Sequence, residues 1–229
     1  MATRAELKER VRRRLIQFLP NPGEAGFAGD PLTLDDWVTD VTDEIARRCW
    51  CWFKTVTSPL VVGQREYCLP DNQEYTEAEE TRYVPELVEA QTIEILTDGG
   101  ERRLPLRLLS VPEFEQGGRG TYWRNQQNGT PCYAVVAAPR VELYPAPSYA
   151  EPNGLSVRGW FVPGKSWGEE TDTFPLSRMA EDVAVLGISL RWAEAEAHNP
   201  RMAAQVALLR SAYERGIRDL YGRTIREGF

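Results

Sequence analysis

The residue types that most often perform catalysis are scarce in this chain of 229 residues. His198 is the single histidine, and the residues that follow it, Asn199 and Pro200, are typical of a turn between two helices. A catalytic histidine needs a nucleophile and an orienting acid nearby, and no sequence motif identifies either partner. We therefore predict a structural or exposed histidine and a protein that is not an enzyme.

The four cysteines do not have the spacing of a metal site. Cys49 and Cys51 are separated by one residue in a predicted helix, so their thiols would diverge, and Cys68 and Cys132 stand far apart. A structural zinc ion needs about four converging sulfur or nitrogen ligands. We expect buried thiols in a reducing compartment, with no metal and no cofactor.

The glycine-rich segment and the paired carboxylates also lack the context of a known site. Residues 117–120 lead towards predicted β structure, whereas a phosphate-binding loop joins a strand to a helix. Residues 71–80 hold five carboxylates without the glycine and spacing of a calcium-binding loop. The two acids of a glycosidase come from distant positions, so the sequence leaves a hydrolase open as an alternative.

Composition places the chain among globular proteins. Apolar residues make up 42% and charged residues 27%, and no run of about 18 apolar residues predicts a membrane span. The first residues lack the apolar core of a signal peptide. The formal net charge of −7 disfavours bulk attraction to nucleic acid, because phosphate binding relies on cationic contacts.

Basic residues are concentrated in the first predicted helix. Thr3 and Glu6 have capping-box spacing, and apolar residues recur at helical intervals over residues 4–18. The other face of this helix carries six basic residues: Arg4, Lys8, Arg10, Arg12, Arg13 and Arg14. They form either a solvated face or a surface that contacts an acidic partner protein or DNA phosphates. Arg10, Arg12, Arg13 and Arg14 are the candidate contact residues.

Helical patterns lie on both sides of a region of strand patterns. A second helix is predicted from a cap at Thr33, and two antiparallel helices are predicted on either side of residues 198–200. A short capped helical turn begins at Ser110. Period-two alternation and turn residues predict strands at 59–62, 65–70, 88–96, 103–108, 133–136, 140–144 and 155–162.

These patterns predict an α+β fold. A four-helix bundle built from both chain ends would hold an inserted antiparallel β domain. The bundle would comprise residues 1–54 and 175–222, and the β domain would comprise residues 55–174. Residues 223–229 would form a flexible C-terminal tail.

Five segments, taken in order, carry a resemblance to a known family. They are EIARRCW at 44–50, GQREYCLP at 63–70, GTPCYA with RVELYPAP at 129–134 and 140–147, LSVRGW at 155–160, and the proline-led C-terminal helical hairpin. Together they resemble the head-to-tail adaptor, or head-completion, proteins of tailed bacteriophages, of which tail tubular protein A is one type. The acidic residues 71–80 and the arginine-rich tail depart from that pattern.

The resemblance implies a structural virion protein at the head–tail junction, assembled in the host cytoplasm. Such proteins form a homo-oligomeric ring, often of twelve copies, that joins the portal protein to tail or nozzle proteins. The ring extends a channel through which genomic DNA passes without sequence-specific binding, and no membrane is involved. Because family members often dock on the portal through a terminal segment, the resemblance assigns portal docking to five residues: Tyr221, Arg223, Ile225, Arg226 and Phe229.

A function of another class stays open at this point. Aromatic residues in loops can stack on ligands, and four of them are candidates here: Tyr122, Trp123, Trp160 and Trp167. The alternative to an adaptor is therefore a carbohydrate- or protein-binding module, with or without hydrolase activity.

Overall fold

A computed structural model describes residues 1–16, 31–69, 75–77, 80–82, 86–97, 99, 101–116, 119–197 and 200–227. The helices are α1 (Arg4–Ile16), α2 (Pro31–Cys49), α3 (Val111–Glu115), α4 (Arg119–Arg124), α5 (Arg178–Ala195) and α6 (Pro200–Glu227). The strands are β1 (Phe53–Leu60), β2 (Glu66–Cys68), β3 (Tyr75–Glu77), β4 (Glu80–Arg82), β5 (Glu86–Thr97), β6 (Arg102–Pro105), β7 (Arg107–Leu109), β8 (Tyr133–Ala137), β9 (Arg140–Tyr144) and β10 (Glu151–Val162). The predicted α+β class is confirmed.

The chain divides into two compact units. The helical unit consists of Met1–Trp52 and Pro163–Phe229, and the β unit is the continuous segment Phe53–Val162. Residues 163–174, expected in the β domain from the sequence, group with the helices. They do so because a 3-10 turn at Gly164–Trp167 follows β10, its first amide donates to Asp43 of α2 at 2.9 Å, and Thr3 bridges to Thr173.

In the helical unit, α5 is the central element. It contacts α1, α2 and α6, and α2 also contacts α6. The apolar stripe of α1, formed by Leu7, Val11 and Leu15, is fully buried. Because α5 packs against three helices, small residues such as Ala180 and Ala184 are buried along its length.

Three helices meet closely at Gly187 of α5. A β-carbon at this position would lie 2.6 Å from Cγ1 of Val41 on α2 and 2.7 Å from Cε2 of Tyr213 on α6. Carbon atoms in contact are normally about 3.5–4.0 Å apart. The glycine therefore sets how near α2 and α6 come to α5.

The last helix is longer than the sequence predicted. The structure continues α6 through Glu227, so the prediction of a flexible tail over residues 223–229 was wrong for the part of the tail that is described. Leu220 is buried, and the hydroxyl of Thr224 donates to its carbonyl at 3.1 Å. One interior glycine, Gly222, costs a helix only about 1 kcal/mol, so it does not end α6.

The larger sheet of the β unit has the strand order β1-β10-β5-β6 and is antiparallel throughout. The predicted pairing of β5 with β6 is confirmed, with Ile95 opposite Leu104. Residues 152–154, predicted to be a turn, lie inside β10. The register of β10 on β5 shifts at Gly159, where a side chain would collide with the carbonyl of Glu89.

The second sheet has the order β2-β9-β8-β7. Strands β8 and β9 form the predicted antiparallel hairpin, with Tyr133 opposite Tyr144. Strand β7 runs parallel to β8, so the prediction of a wholly antiparallel β domain was wrong. A parallel pair needs a crossover of about a dozen residues or more, and the connection that contains α3 and α4 supplies it.

The predicted hairpin around Gly63 is instead a connection between the two four-stranded sheets. Strand β1 pairs with β10 and strand β2 pairs with β9. Gly63 has a φ of 74°, and its amide donates to the carbonyl of Pro147 at 2.8 Å. Strands β3 and β4 pair with each other, and neither belongs to a four-stranded sheet.

Candidate functional site

The basic face of α1 contains both buried and exposed cations. Arg4 and Lys8 are only 3% and 6% exposed, so the interpretation of a solvated face was wrong for both. The guanidinium of Arg4 donates to the backbone carbonyls of Trp167 and Asp35, each at 2.9 Å. Lys8 forms ion pairs with Asp35 and Glu170. These two cations fix α1 to α2 and to residues 167–170.

Asp35 is the acidic centre of this cluster. Burial alone would raise the pKa of its carboxyl group, but the hydrogen bonds and charges of Lys8 and Arg4 outweigh burial and lower the pKa below its usual value of 3.8. The Arg4 guanidinium also lies 4.9 Å from the centre of the Trp167 ring. Asp35 is therefore ionised at neutral pH, and its contacts with Arg4 and Lys8 serve a structural role.

Arg10 connects α1 to the first turn of α5. Its Nη1 donates to Glu181 at 3.2 Å, and its Nη2 pairs with Asp182. Glu181 is buried and also accepts a hydrogen bond from the amide of Ala2 at 2.8 Å. These contacts hold Arg10 against the first turn of α5.

Three of the four predicted contact residues line one hollow between α1 and α5, here called the α1–α5 hollow. Its volume is about 390 Å³, and its lining consists of Arg10, Arg13, Arg14, Asp182, Val185 and Leu186. Arg13 is 76% exposed and pairs only with Glu9 on the same helix, at 2.9 Å, among the described residues. The Nε atom of Arg14 is buried and has no hydrogen-bond partner in the described part of the chain. Arg12 is exposed and does not line the hollow.

The predicted portal-docking residues lie at the end of α6, with one exception. Tyr221 and Ile225 are 45% and 62% exposed, and their spacing of four residues puts them on one face of the helix. Arg223 reaches Met179 at the start of α5, with 3.1 Å between Nη1 and Sδ, and Arg226 is exposed. We call Tyr221, Arg223, Ile225 and Arg226 the α6 end surface. Phe229 lies outside the described residues.

The aromatic residues of the alternative function do not form one ligand surface. Trp167 is buried, with its ring 5.3 Å from Phe174, so it is not available to a ligand. Trp160 is half-buried and packs its ring 5.0 Å from Phe53. Tyr122 and Trp123 remain together on α4.

Trp123 lines a second hollow, in the β unit, that the sequence did not predict. The hollow has a volume of about 390 Å³ and is lined by Arg107, Leu109, Glu113, Phe114, Gln116, Tyr122, Trp123 and Tyr133. Glu113 completes the capping box of α3, and its hydrogen bonds with Ser110 lower the pKa of its carboxyl group. An ionised carboxylate is a poor general acid, so Glu113 is unsuited to that role at neutral pH. The sequence predicted parts of this lining separately, through the capping box at Ser110, the strands at 103–108 and 133–136 and the aromatic residues Tyr122 and Trp123, but not that they meet.

Other candidate groups for chemistry show no assembled site. Among the residues that the structure describes, no three metal-binding side chains converge. Burial raises the pKa of Cys49 to about 11 and that of Cys51 to about 12, which makes both thiols unreactive. Cys68 and Cys132 are exposed, so the prediction of buried thiols was wrong for these two. His198 lies outside the described residues.

The chain matches the family described as SU10 adaptor protein over residues 2–228. This protein belongs to the SU10 adaptor protein family. The resemblance to bacteriophage head–tail adaptors is thereby confirmed, whereas the narrower likeness to tail tubular protein A stays a prediction. No curated protein matches the sequence. An SU10-family adaptor is a structural component of the virion, and in its described residues no helix is both long and apolar enough to cross a membrane.

Proposed function

We propose that this SU10-family adaptor forms a ring at the head–tail junction that joins the portal protein to tail or nozzle proteins. The observation that carries the proposal is the family match, because it includes nearly all of both units. A closed ring of identical copies needs two different, complementary surfaces on each copy. Twelve copies is the number that the resemblance implies.

The α6 end surface is the proposed portal contact. It offers an exposed tyrosine and isoleucine beside Arg223 and Arg226. Tyrosine and arginine are enriched among the residues that contribute most to protein–protein binding. An apolar groove with acidic residues at its edge is the portal surface that would fit this end of α6.

The acidic character of the whole chain suits a DNA conduit. A formal charge of −7 per copy repels phosphates from the channel wall, so DNA would slide through it without specific binding. The basic residues of α1 that remain exposed, Arg12 and Arg13, then serve contacts with an acidic protein surface or with phosphates.

The variant Tyr221→Glu/Ile225→Glu tests the portal contact. Both side chains are exposed, so we expect an unchanged melting temperature and at least tenfold weaker co-sedimentation with purified portal rings. Leu208→Glu is the matched control, because Leu208 is also an exposed apolar residue of α6 but lies far from its end. Unweakened portal binding by the double variant would overturn the docking surface. Absence of any ring on the portal in negative-stain images of the wild-type mixture would overturn the ring itself.

A further inference from the structure

We propose that the hollow of the β unit receives the exposed turn formed by Val61 and Val62 of a neighbouring copy. The hollow, which Trp123 lines, is called the aromatic hollow below, and Val61 and Val62 are called the valine turn. The inference rests on the ring proposed above and supplies one of its subunit contacts.

The aromatic hollow is preformed, because the rings of its lining pack on one another. The ring centre of Trp123 lies 4.7 Å from that of Tyr133 and 5.4 Å from that of Tyr122. Phe114 is buried and lies 4.4 Å from the ring centre of Tyr144. The volume of about 390 Å³ is at the small end of the range for binding pockets, about 300–1,000 Å³. The hollow therefore suits a few apolar side chains rather than a long segment.

The two short helices that wall the aromatic hollow are fixed to each other. Arg124 of α4 forms an ion pair with Glu115 of α3, and its guanidinium lies 5.4 Å from the ring centre of Phe114. A β-carbon on Gly120 would lie only 2.6 Å from Oε2 of Glu115, so the start of α4 packs closely on α3. These contacts hold the helical wall of the hollow in place.

The valine turn presents two apolar side chains in a fixed position. Val61 and Val62 are 43% and 54% exposed, and they are the only adjacent pair of exposed large apolar residues in the described part of the chain. The amide of Val61 donates to the hydroxyl of Tyr67 at 3.2 Å, and the amide of Gln64 donates to the carbonyl of Val61 at 3.1 Å. Because the turn is already ordered, its binding would cost little conformational entropy.

The valine turn and the aromatic hollow belong to opposite edges of one sheet. The strand order is β2-β9-β8-β7, the turn leads into β2, and β7 contributes Arg107 and Leu109 to the hollow. Neighbouring strands are about 4.8 Å apart, so the two edges are separated by roughly 14 Å. The turn is thus placed to reach the hollow of another copy rather than its own. Two different surfaces on opposite edges are what a closed ring of identical copies requires.

The charges beside the two surfaces favour a second copy over DNA as the partner. The lining of the aromatic hollow includes one exposed cation, Arg107, and one exposed carboxylate, Glu113. Close to the valine turn, Glu66 and Arg140 pair at 3.4 Å, and their side chains are 49% and 62% exposed. Opposite charges can therefore meet across the contact. DNA would bring only phosphates against Glu113.

Disulfide cross-linking of rings assembled on purified portal tests the contact. The background Cys68→Ser/Cys132→Ser removes two exposed thiols. In that background, Val62→Cys/Gln116→Cys should give a ladder of cross-linked oligomers under mild oxidation, because each copy would carry one thiol at the turn and one at the hollow. The control Val62→Cys/Glu101→Cys should give at least tenfold less, since Glu101 is exposed in the same unit but does not line the hollow.

A loss of association provides an independent measurement. Val62→Asp should lower the ring fraction at least tenfold in analytical ultracentrifugation, and its exposed position should leave the melting temperature unchanged. Trp123→Ala should lower the ring fraction similarly. Leu208→Asp, at an exposed apolar position of the helical unit, is the control and should not change it.

Three outcomes overturn the contact while leaving the ring. They are rings on the portal without a ladder, cross-linked dimers from Val62→Cys alone, which would mean a symmetric contact between two turns, and a cross-link from Gln116→Cys to another protein. If the wild type forms no ring on the portal in negative-stain images, the ring proposal fails instead. The contact is then tested by sedimentation equilibrium of the free protein: self-association that Val62→Asp abolishes supports it, and a monomer at every concentration overturns it.

Discussion

A single carboxylate, Asp35, holds two nearly buried cations at the start of α1. Arg4 and Lys8 both pair with it, and Arg4 makes further hydrogen bonds to Thr39 and to the carbonyl of Trp167. A buried cation that loses its counter-ion keeps the whole cost of its desolvation. The cluster therefore secures the position of α1, and with it the arrangement of the arginines farther along that helix.

We predict that Asp35→Asn destabilises the protein by about 2 kcal/mol, because removing one partner of a buried ion pair costs about 3–5 kcal/mol and Asp35 is partly solvated. Folding lowers the pKa of Asp35, so its stabilising contribution is complete above the usual value and is lost as pH falls through the lower folded-state pKa. The difference in unfolding free energy between wild type and variant, measured in urea, should shrink below about pH 4.

The control for this prediction is Asp182→Asn. Asp182 pairs with Arg10 but is 77% exposed, and exposed ion pairs contribute about 0–1 kcal/mol. A wild-type-like stability for Asp35→Asn, or a difference that stays constant into acid, would show that the cluster does not stabilise the fold.

At the residue scale, the sequence predicted hydrogen bonds correctly where the donor and the acceptor are close in the chain. The amide of Glu6 donates to Thr3 at 3.2 Å, and the amide of Thr3 donates to the Glu6 carboxylate at 2.9 Å, as the capping box predicted. The burial of Arg4 could not be predicted this way, because its acceptors lie 31 to 163 residues away. A charge pattern on a helix does not reveal which cations another element will cover.

At the scale of elements, close packing of the helices depends on glycines, which have no side chain. Gly187 allows α2 and α6 to approach α5. Gly216 of α6 allows Val183 of α5 to come close in the same way, because a β-carbon added to this glycine would lie only 2.8 Å from Cγ2 of Val183. Glycine usually weakens a helix, so these positions look like breaks in a sequence pattern. Their effect on helix contacts becomes visible only when the facing side chains are known.

We predict opposite effects for the same substitution at two glycines. Gly187→Ala should destabilise the protein by about 1–2 kcal/mol, because overpacking outweighs the gain in helix propensity. Gly222→Ala should stabilise it by about 0.5–1 kcal/mol, because an added β-carbon there meets no atom within 4 Å. Thermal unfolding of both variants beside wild type measures the difference. Equal shifts would mean that Gly187 is not a close contact between helices.

A second prediction at this scale concerns the cap of α3. The hydroxyl of Ser110 accepts from the amide of Glu113 at 3.4 Å, and the Glu113 carboxylate accepts from the Ser110 amide at 2.8 Å. Ser110→Ala should cost about 1 kcal/mol in chemical denaturation. Ser148→Ala, at an exposed position of the same unit, is the control and should leave stability unchanged.

For the whole molecule, hydrophobic periodicity predicted the α+β class, the β5–β6 pairing and the β8–β9 hairpin. These features follow from neighbouring segments of the chain. The parallel β7–β8 pair and the membership of residues 163–174 in the helical unit do not, because each depends on contacts between segments far apart. The two hollows could not be predicted from neighbouring segments either, because each is lined by residues of several elements.

Thiol labelling should report on the two units separately. Cys68 and Cys132 of the β unit are exposed, whereas Cys49 and Cys51 of the helical unit have thiols with raised pKa. In native protein at pH 8, we expect rapid labelling at Cys68, slower labelling at Cys132, because burial raises the pKa of its thiol, and slow labelling at Cys49 and Cys51. Asp35→Asn should speed labelling at Cys49 without altering Cys68. A rate increase at all four thiols would mean that the units unfold together.

The helical unit is formed by the two ends of the chain, and this imposes an order on its folding during synthesis. On the ribosome, α1 and α2 emerge first, but α5, which packs against both, is made only after the entire β unit. The continuous β unit can fold as soon as Val162 has emerged, whereas the apolar stripes of α1 and α2 must wait for the last third of the chain. Nascent copies therefore expose an incomplete helical surface until translation ends.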